Sequence, residues 1–103
     1  MFMLVFYVPT DAAEKVKKAV FAAGGGKLGN YDSCCWQIVG QGQFQPLAGS
    51  DPYLGEVGRI EAVKELRVEM ICADAKLEAA LQALVAAHPY ETPAYAYWEI
   101  NQP

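Results

Sequence analysis

The residues best equipped for chemistry sit together at His88-Pro89-Tyr90-Glu91, which holds the only histidine of the chain. An imidazole with a carboxylate three residues on can move a proton or share a divalent cation, so His88 and Glu91 are the candidate metal pair, and a divalent metal ion is the cofactor they would hold. A structural zinc site wants four ligands, so other subunits would have to supply the rest. Together with Tyr90 and with Phe44 from a long connection upstream, His88 and Glu91 also make a candidate ligand pocket at a subunit boundary. The plainer alternative has His88 closing an apolar helix face and bonding nearby backbone, with Glu91 at the surface.

Other combinations carry less chemistry, and no residue is assigned a catalytic role. Catalysis by Cys34 or Cys35 with His88 needs hydrogen-bond contact, which the order of elements below denies within one subunit. Adjacent cysteines in a strand point to opposite faces and suit neither a mutual disulfide nor joint chelation. Cys72, in an apolar run, reads as a small core residue, and reduced thiols in the cytoplasm follow. Glu61, Glu65 and Glu69 share one strand face with Arg67 and read as a salt-bridged surface. The turn Gly24-Gly25-Gly26-Lys27-Leu28-Gly29 lacks the Gly-Lys-Ser/Thr ending of a phosphate loop and precedes a strand, so it is a helix stop.

The elements that position these residues follow from periodicity. Residues 2–8 are aromatic or β-branched nearly throughout and form a strand. Pro9-Thr10-Asp11 opens a helix with Thr10 or Asp11 as N-cap and Asp11 and Glu14 as a capping box; Ala12, Val16, Ala19, Val20 and Ala23 are its buried stripe. Residues 34–39 form the second strand. Residues 40–58, with five glycines and two prolines, form a connection near 19 residues long, with room for a short strand at 43–46. So long a loop in so small a domain binds something or clasps a neighbour. Residues 65–72 alternate as a strand, with strand favoured over helix for 59–66. Asp74 caps a second helix over 75–88, with Leu77, Ala80, Leu81, Leu84 and Val85 at helical spacing. Pro89 ends that helix, and its C-terminus favours a positive imidazole on His88. Residues 95–100 form the last strand.

The order β-α-β-β-α-β is that of an α+β ferredoxin-like sandwich, an antiparallel sheet with two helices on one face. Right-handed crossovers then place His88 and Cys34 at opposite ends. At 103 residues, the span 1–103 makes one domain. No apolar run approaches the roughly 18–20 residues of a membrane span, and the apolar N-terminus reads as a buried strand and not as a signal peptide. A formal net charge of −4 with scattered basic residues speaks against nucleic acid as a partner. Helices cover one sheet face, yet the first strand is apolar on both: Phe2, Leu4, Phe6 and Val8 against Met3, Val5 and Tyr7. The last strand sets Ala94, Ala96, Trp98 and Ile100 against Tyr95 and Tyr97. A second apolar face of several hundred Å² is rarely left in water. Its expected cover is a second copy of the chain, in a dimer or trimer.

In this order the motifs Gly26-x-x-Gly29-x-Tyr31-x-x-Cys34, Gly40-x-Gly42-x-Phe44-x-Pro46, Gly49, Pro52, Gly55, Gly58, Glu65-x-Arg67-x-Glu69 and Ala87-His88-Pro89-Tyr90-Glu91-x-Pro93-Ala94-Tyr95 span nearly the whole chain. In them the chain resembles a free-standing version of the CutA/PII-like domain inserted in YqfO/Nif-three-like proteins. The resemblance implies the fold just read and, by analogy with CutA and PII proteins, assembly as an oligomer. In PII proteins the connection at the position of residues 40–58 is the signalling loop. The dinuclear metal centre of the longer relatives lies in domains absent here, so their hydrolase activity does not transfer. The expected role is a non-enzymatic oligomeric binding or regulatory protein, with small-ligand or metal sites in inter-subunit clefts. The alternatives are a metal-assisted hydrolase with a shared site, or an interaction module that docks a protein partner through loop 40–58.

Overall fold

Apolar side chains on both faces make Phe2–Pro9 the central strand, β1, around which the other elements assemble. The computed structural model describes residues 1–101. It continues with α1 (Ala13–Ala22), β2 (Trp36–Phe44), β3 (Glu61–Cys72), α2 (Leu77–Ala87) and β4 (Tyr95–Glu99). All strand pairings are antiparallel, in the order β2-β3-β1-β4. This is the α+β ferredoxin-like sandwich expected from the sequence.

The core lies between the helices and one face of the sheet. Leu4, Phe6 and Val8 of β1 and Leu66, Val68, Met70 and Cys72 of β3 meet Val16 and Val20 of α1 and Ala80 and Leu84 of α2. In α1 the buried positions are Ala13, Val16 and Val20, at spacings of three and four that make one helical stripe. Ala12 occupies the N-cap position, where its methyl side chain can accept no hydrogen bond, and its own N–H bonds the carbonyl of Pro9. Thr10 and Asp11 are used up in that turn, so the expected capping box does not form. Asp74 likewise does not cap α2: it opens a single 3₁₀ turn, Asp74–Lys76, that leads into the helix.

β2 also differs from expectation. It starts at Trp36 and runs to Phe44, taking in the first residues of the expected loop and absorbing the short strand proposed at 43–46. Gly40 and Gly42 are weak strand formers, but the long partner β3 supplies an unbroken ladder from Trp36↔Glu69 to Phe44↔Glu61. Because β1 ends at the pair Pro9↔Glu65, the pairs from Gln41↔Lys64 to Phe44↔Glu61 form a two-stranded arm beyond the sheet. The arm draws the molecule out to 46 × 24 × 23 Å. Among the described residues no helix is long and apolar enough to cross a membrane.

The helix-free face carries Met3, Val5 and Tyr7 of β1, with Trp98 beside them on β4; on the other side the paired Arg67 and Glu69 of β3 come first, and Trp36 and Ile38 of β2 lie beyond them. Val5 is sealed by its neighbours at 2% exposure, whereas Trp36 remains 59%, Ile38 52% and Trp98 45% exposed. At the opposite end from the arm, Gly26 (φ +74°) turns the chain so that its N–H bonds Ile71 O and its carbonyl accepts from the N–H of Cys34. A Cβ there would press on both the Cys34 carbonyl and the Phe21 ring.

The core assignment predicts a contrast between neighbours on α2. Leu84→Ala, at a fully buried site, should cost about 3 kcal/mol of unfolding free energy. Val85→Ala, 46% exposed, should change it by less than about 0.5 kcal/mol. Urea denaturation of the two variants checks this.

Candidate functional site

His88 is the last link of α2: its N–H bonds Leu84 O and its backbone turns extended (φ −69°, ψ 135°), as a residue before proline must. The side chain then folds inward and is buried, 6% exposed. Nε2 lies 2.7 Å from the carbonyl oxygen of Tyr7, and Nδ1 accepts the N–H of Tyr90 at 3.1 Å. A carbonyl can only accept and an amide N–H can only donate, so these partners fix the neutral tautomer with its proton on Nε2. Burial lowers the His88 pKa below 6.5, opposed in part by the bond to Tyr7 and by the charge of Glu65. The positive imidazole expected at a helix end is therefore replaced by a neutral one. Desolvation and a bonding pattern built for the neutral ring outweigh the field of the helix terminus.

Pro89 carries the chain away from the helix, and Tyr90 returns across the end of the sheet. Its hydroxyl donates to Glu65 Oε2 at 2.7 Å. Its ring packs on Phe44, Tyr53 and the His88 imidazole, with centroids 5.8, 6.2 and 4.9 Å away. The Glu65 carboxylate lies directly over Gly42 of the neighbouring strand, where an added Cβ would collide with it. Burial first, then the bond to Glu65, raises the Tyr90 pKa, so its hydroxyl stays a neutral donor. Glu91 Oε2 accepts the N–H of Asp51 at 3.0 Å and so ties down the loop of residues 45–60.

These contacts border a cavity of about 520 Å³, open to solvent on one side, between the arm, the loop and the segment after α2. Phe44, Tyr53, Tyr90 and Tyr7 supply its aromatic walls, and Glu65 and Glu91 its charged groups. Of the expected pocket residues, Phe44, Tyr90 and Glu91 line the cavity; His88 lies behind Tyr90 and does not. A divalent ion does not fit His88 and Glu91, because both ring nitrogens are committed to backbone groups. Among the described residues no three His, Cys, Asp or Glu side chains gather as a ligand set.

Sequence reasoning missed three residues here. Glu65 was expected in a salt-bridged surface with Arg67; instead Arg67 pairs with Glu69 (3.6 Å) and reaches Tyr7 Oη (3.3 Å), leaving Glu65 to Tyr90. Gly42 and Tyr53 read as loop residues. The signal for Gly42 was its place on the same strand face as Gly40, the partner of Glu65, two residues further along β2; it is visible only once β2 is extended to Phe44. Cys34 lies at the far end, its N–H bonded to Gly26 O beside the end of β3, well away from His88.

No family model matches the chain. Over 99 residues it is 43% identical to a GTP cyclohydrolase 1 type 2 homolog of Mycobacterium leprae and 38% identical to that of Bacillus subtilis. Each alignment covers 96% of this chain but 26% of the relative, so the chain spans about a quarter of the length of the curated relatives it matches. Among solved structures, a Bacillus cereus protein related to NIF3 superposes with TM-score 0.83 at 36% identity, over 98% of this chain and 26% of that one. The divalent cation tolerance protein CutA of Archaeoglobus fulgidus superposes with TM-score 0.67 at 20% identity, over 100% of this chain and 87% of that one, which establishes a shared fold.

The buried neutral imidazole has a pH signature. The folded pKa of His88 lies below the unfolded value of 6.5, so the unfolded chain binds the extra proton first. The stability this group contributes is complete above about pH 6.5 and is lost as pH falls towards the folded value. Urea midpoints measured from about pH 7.5 down to pH 5 should fall for the wild type. His88→Gln should be less stable at neutral pH and show a shallower decline over the same window.

Proposed function

We propose that this chain, a NIF3-like domain with the CutA fold, works by binding: it takes a small molecule in the cavity of Phe44, Tyr53, Tyr90 and Glu91 and assembles with copies of itself through the helix-free sheet face. The observation that carries the binding role is the cavity itself, about 520 Å³ and walled by aromatic rings over two carboxylates. That volume and lining suit a compact organic ligand. His88 supports the cavity and does no proton transfer in it, because its ring is sealed behind Tyr90 with both nitrogens engaged. The loop of residues 45–60 is the natural reporter: Tyr53 and the Asp51 N–H belong to it, so occupancy of the cavity acts on the loop directly.

Assembly rests on Trp36, Ile38 and Trp98, large apolar side chains exposed around the buried Val5 on one face. A dimer or trimer that covers this face would remove them from water. The cyclohydrolase activity in the relatives' name concerns proteins of which this chain matches about a quarter, and on this reading the chain contributes recognition. A docking role for the loop is favoured by Leu47, Val57 and Ile60, exposed along it.

Two measurements test the proposal. Thermal-shift screening against a broad panel of nucleotides, amines, organic acids and divalent ions should find stabilising compounds whose effect Tyr53→Ala reduces. No shift from any compound would favour the docking role, and nucleotide turnover abolished by Glu65→Gln would replace binding by catalysis. In sedimentation at micromolar concentration the wild type should run as a dimer or trimer, and Ile38→Lys as a folded monomer. A monomeric wild type would overturn the assembly.

A further inference from the structure

Within the binding role just proposed, on which this inference rests, the charge of the cavity selects its ligand. Tyr7, Phe44, Tyr53 and Tyr90 place four aromatic rings around the space. The faces of such rings are electron-rich and attract cations. Glu65 and Glu91 add two carboxylates, and among the described residues no lysine, arginine or histidine lines the cavity. On the strand face that carries Glu65, Arg67 is turned to Tyr7 Oη and Glu69. Its guanidinium already stands over the Tyr7 ring, 5.8 Å from the centroid, so one of these rings is in cation contact within the fold.

The carboxylates retain capacity. Glu65 gives Oε2 to the Tyr90 hydroxyl and Glu91 gives Oε2 to the Asp51 N–H. Among the described residues the second oxygen of each has no hydrogen bond from the protein, that of Glu65 resting over Gly42, whereas a carboxylate can accept about four. A phosphate or carboxylate ligand would meet two like charges and find no basic partner. A neutral ring would fill the walls but leave the acceptors unused. We propose that the cavity binds a planar organic cation, an aromatic or amidine-type ring bearing an ammonium or guanidinium group, with the ring between Tyr53 and Tyr90 and the charge at Glu65 and Glu91.

A matched series separates charge from shape: tryptamine (cation), tryptophol (neutral) and indole-3-acetate (anion), titrated into the full chain with amide NMR and calorimetry. Tryptamine should bind roughly tenfold or more tighter than tryptophol, and indole-3-acetate should not bind. The shifted amides should include Asp51, Tyr53 and Tyr90. Glu91→Gln and Glu65→Gln, the latter keeping an acceptor for Tyr90, should each weaken tryptamine by about tenfold and weaken tryptophol by much less. Equal binding of tryptophol, or preference for the acetate, overturns the cation assignment and leaves the binding role standing. If none of the three shifts these amides, the cation assignment fails alone when another class in the thermal-shift panel binds, and together with the binding role when nothing does.

Discussion

Two hydrogen bonds from one imidazole hold the working end of this molecule together. His88 donates through Nε2 to the carbonyl of Tyr7 and accepts through Nδ1 from the N–H of Tyr90. It thereby joins the end of α2, the end of β1 and the segment that crosses to β4. Among the described residues neither backbone group has another hydrogen-bond partner, and leaving one buried and unpaired would cost about 1–3 kcal/mol. The neutral ring alone satisfies both, since protonation would set an N–H against an N–H. The only histidine of the chain is thus a structural clamp, and its usual chemistry is spent on backbone.

From that clamp the cavity follows. With Tyr90 fixed at its backbone, its hydroxyl reaches Glu65, whose carboxylate can lie flat over β2 only because residue 42 has no side chain. The ring of Tyr90 is then the surface on which Phe44 of the arm and Tyr53 of the loop come to rest. A connection rich in glycine pays a large conformational entropy on ordering. Here it is ordered by apolar contacts and by the Glu91–Asp51 bond, both supplied by the segment His88 holds in place.

The likeness to a NIF3-related protein at 36% identity and to CutA at 20% says different things. The second is a shared architecture, which many functions can use. The first covers the motif that builds the cavity, though it reaches only a quarter of the larger protein. What the domain adds to such proteins is therefore read from its own groups: an acidic aromatic cavity at one end of the sheet and an apolar face beside it.

Much of the fold was legible in the residues. The unbroken apolar run of residues 2–8, the period of two in residues 65–72, the helical spacing of Val16 and Val20, and the stop at Pro89 fix strands and helices by local sterics and burial. The motif His88-Pro89-Tyr90-Glu91 and its approach to the connection at Phe44 were likewise visible, because topology brings those chain ends to one edge. The extent of β2 was not, since Gly40 and Gly42 have poor strand propensity and become strand only through the ladder with β3. Nor were the roles within the motif. By itself the sequence determined which side chains arrive at this end of the sheet, whereas tertiary structure alone decided that His88 is neutral and buried, that Glu65 leaves Arg67 for Tyr90, and that Tyr53 and Glu91 close the cavity. Hydrogen-bond partners and burial depend on neighbours far apart in the chain, and no local pattern encodes them.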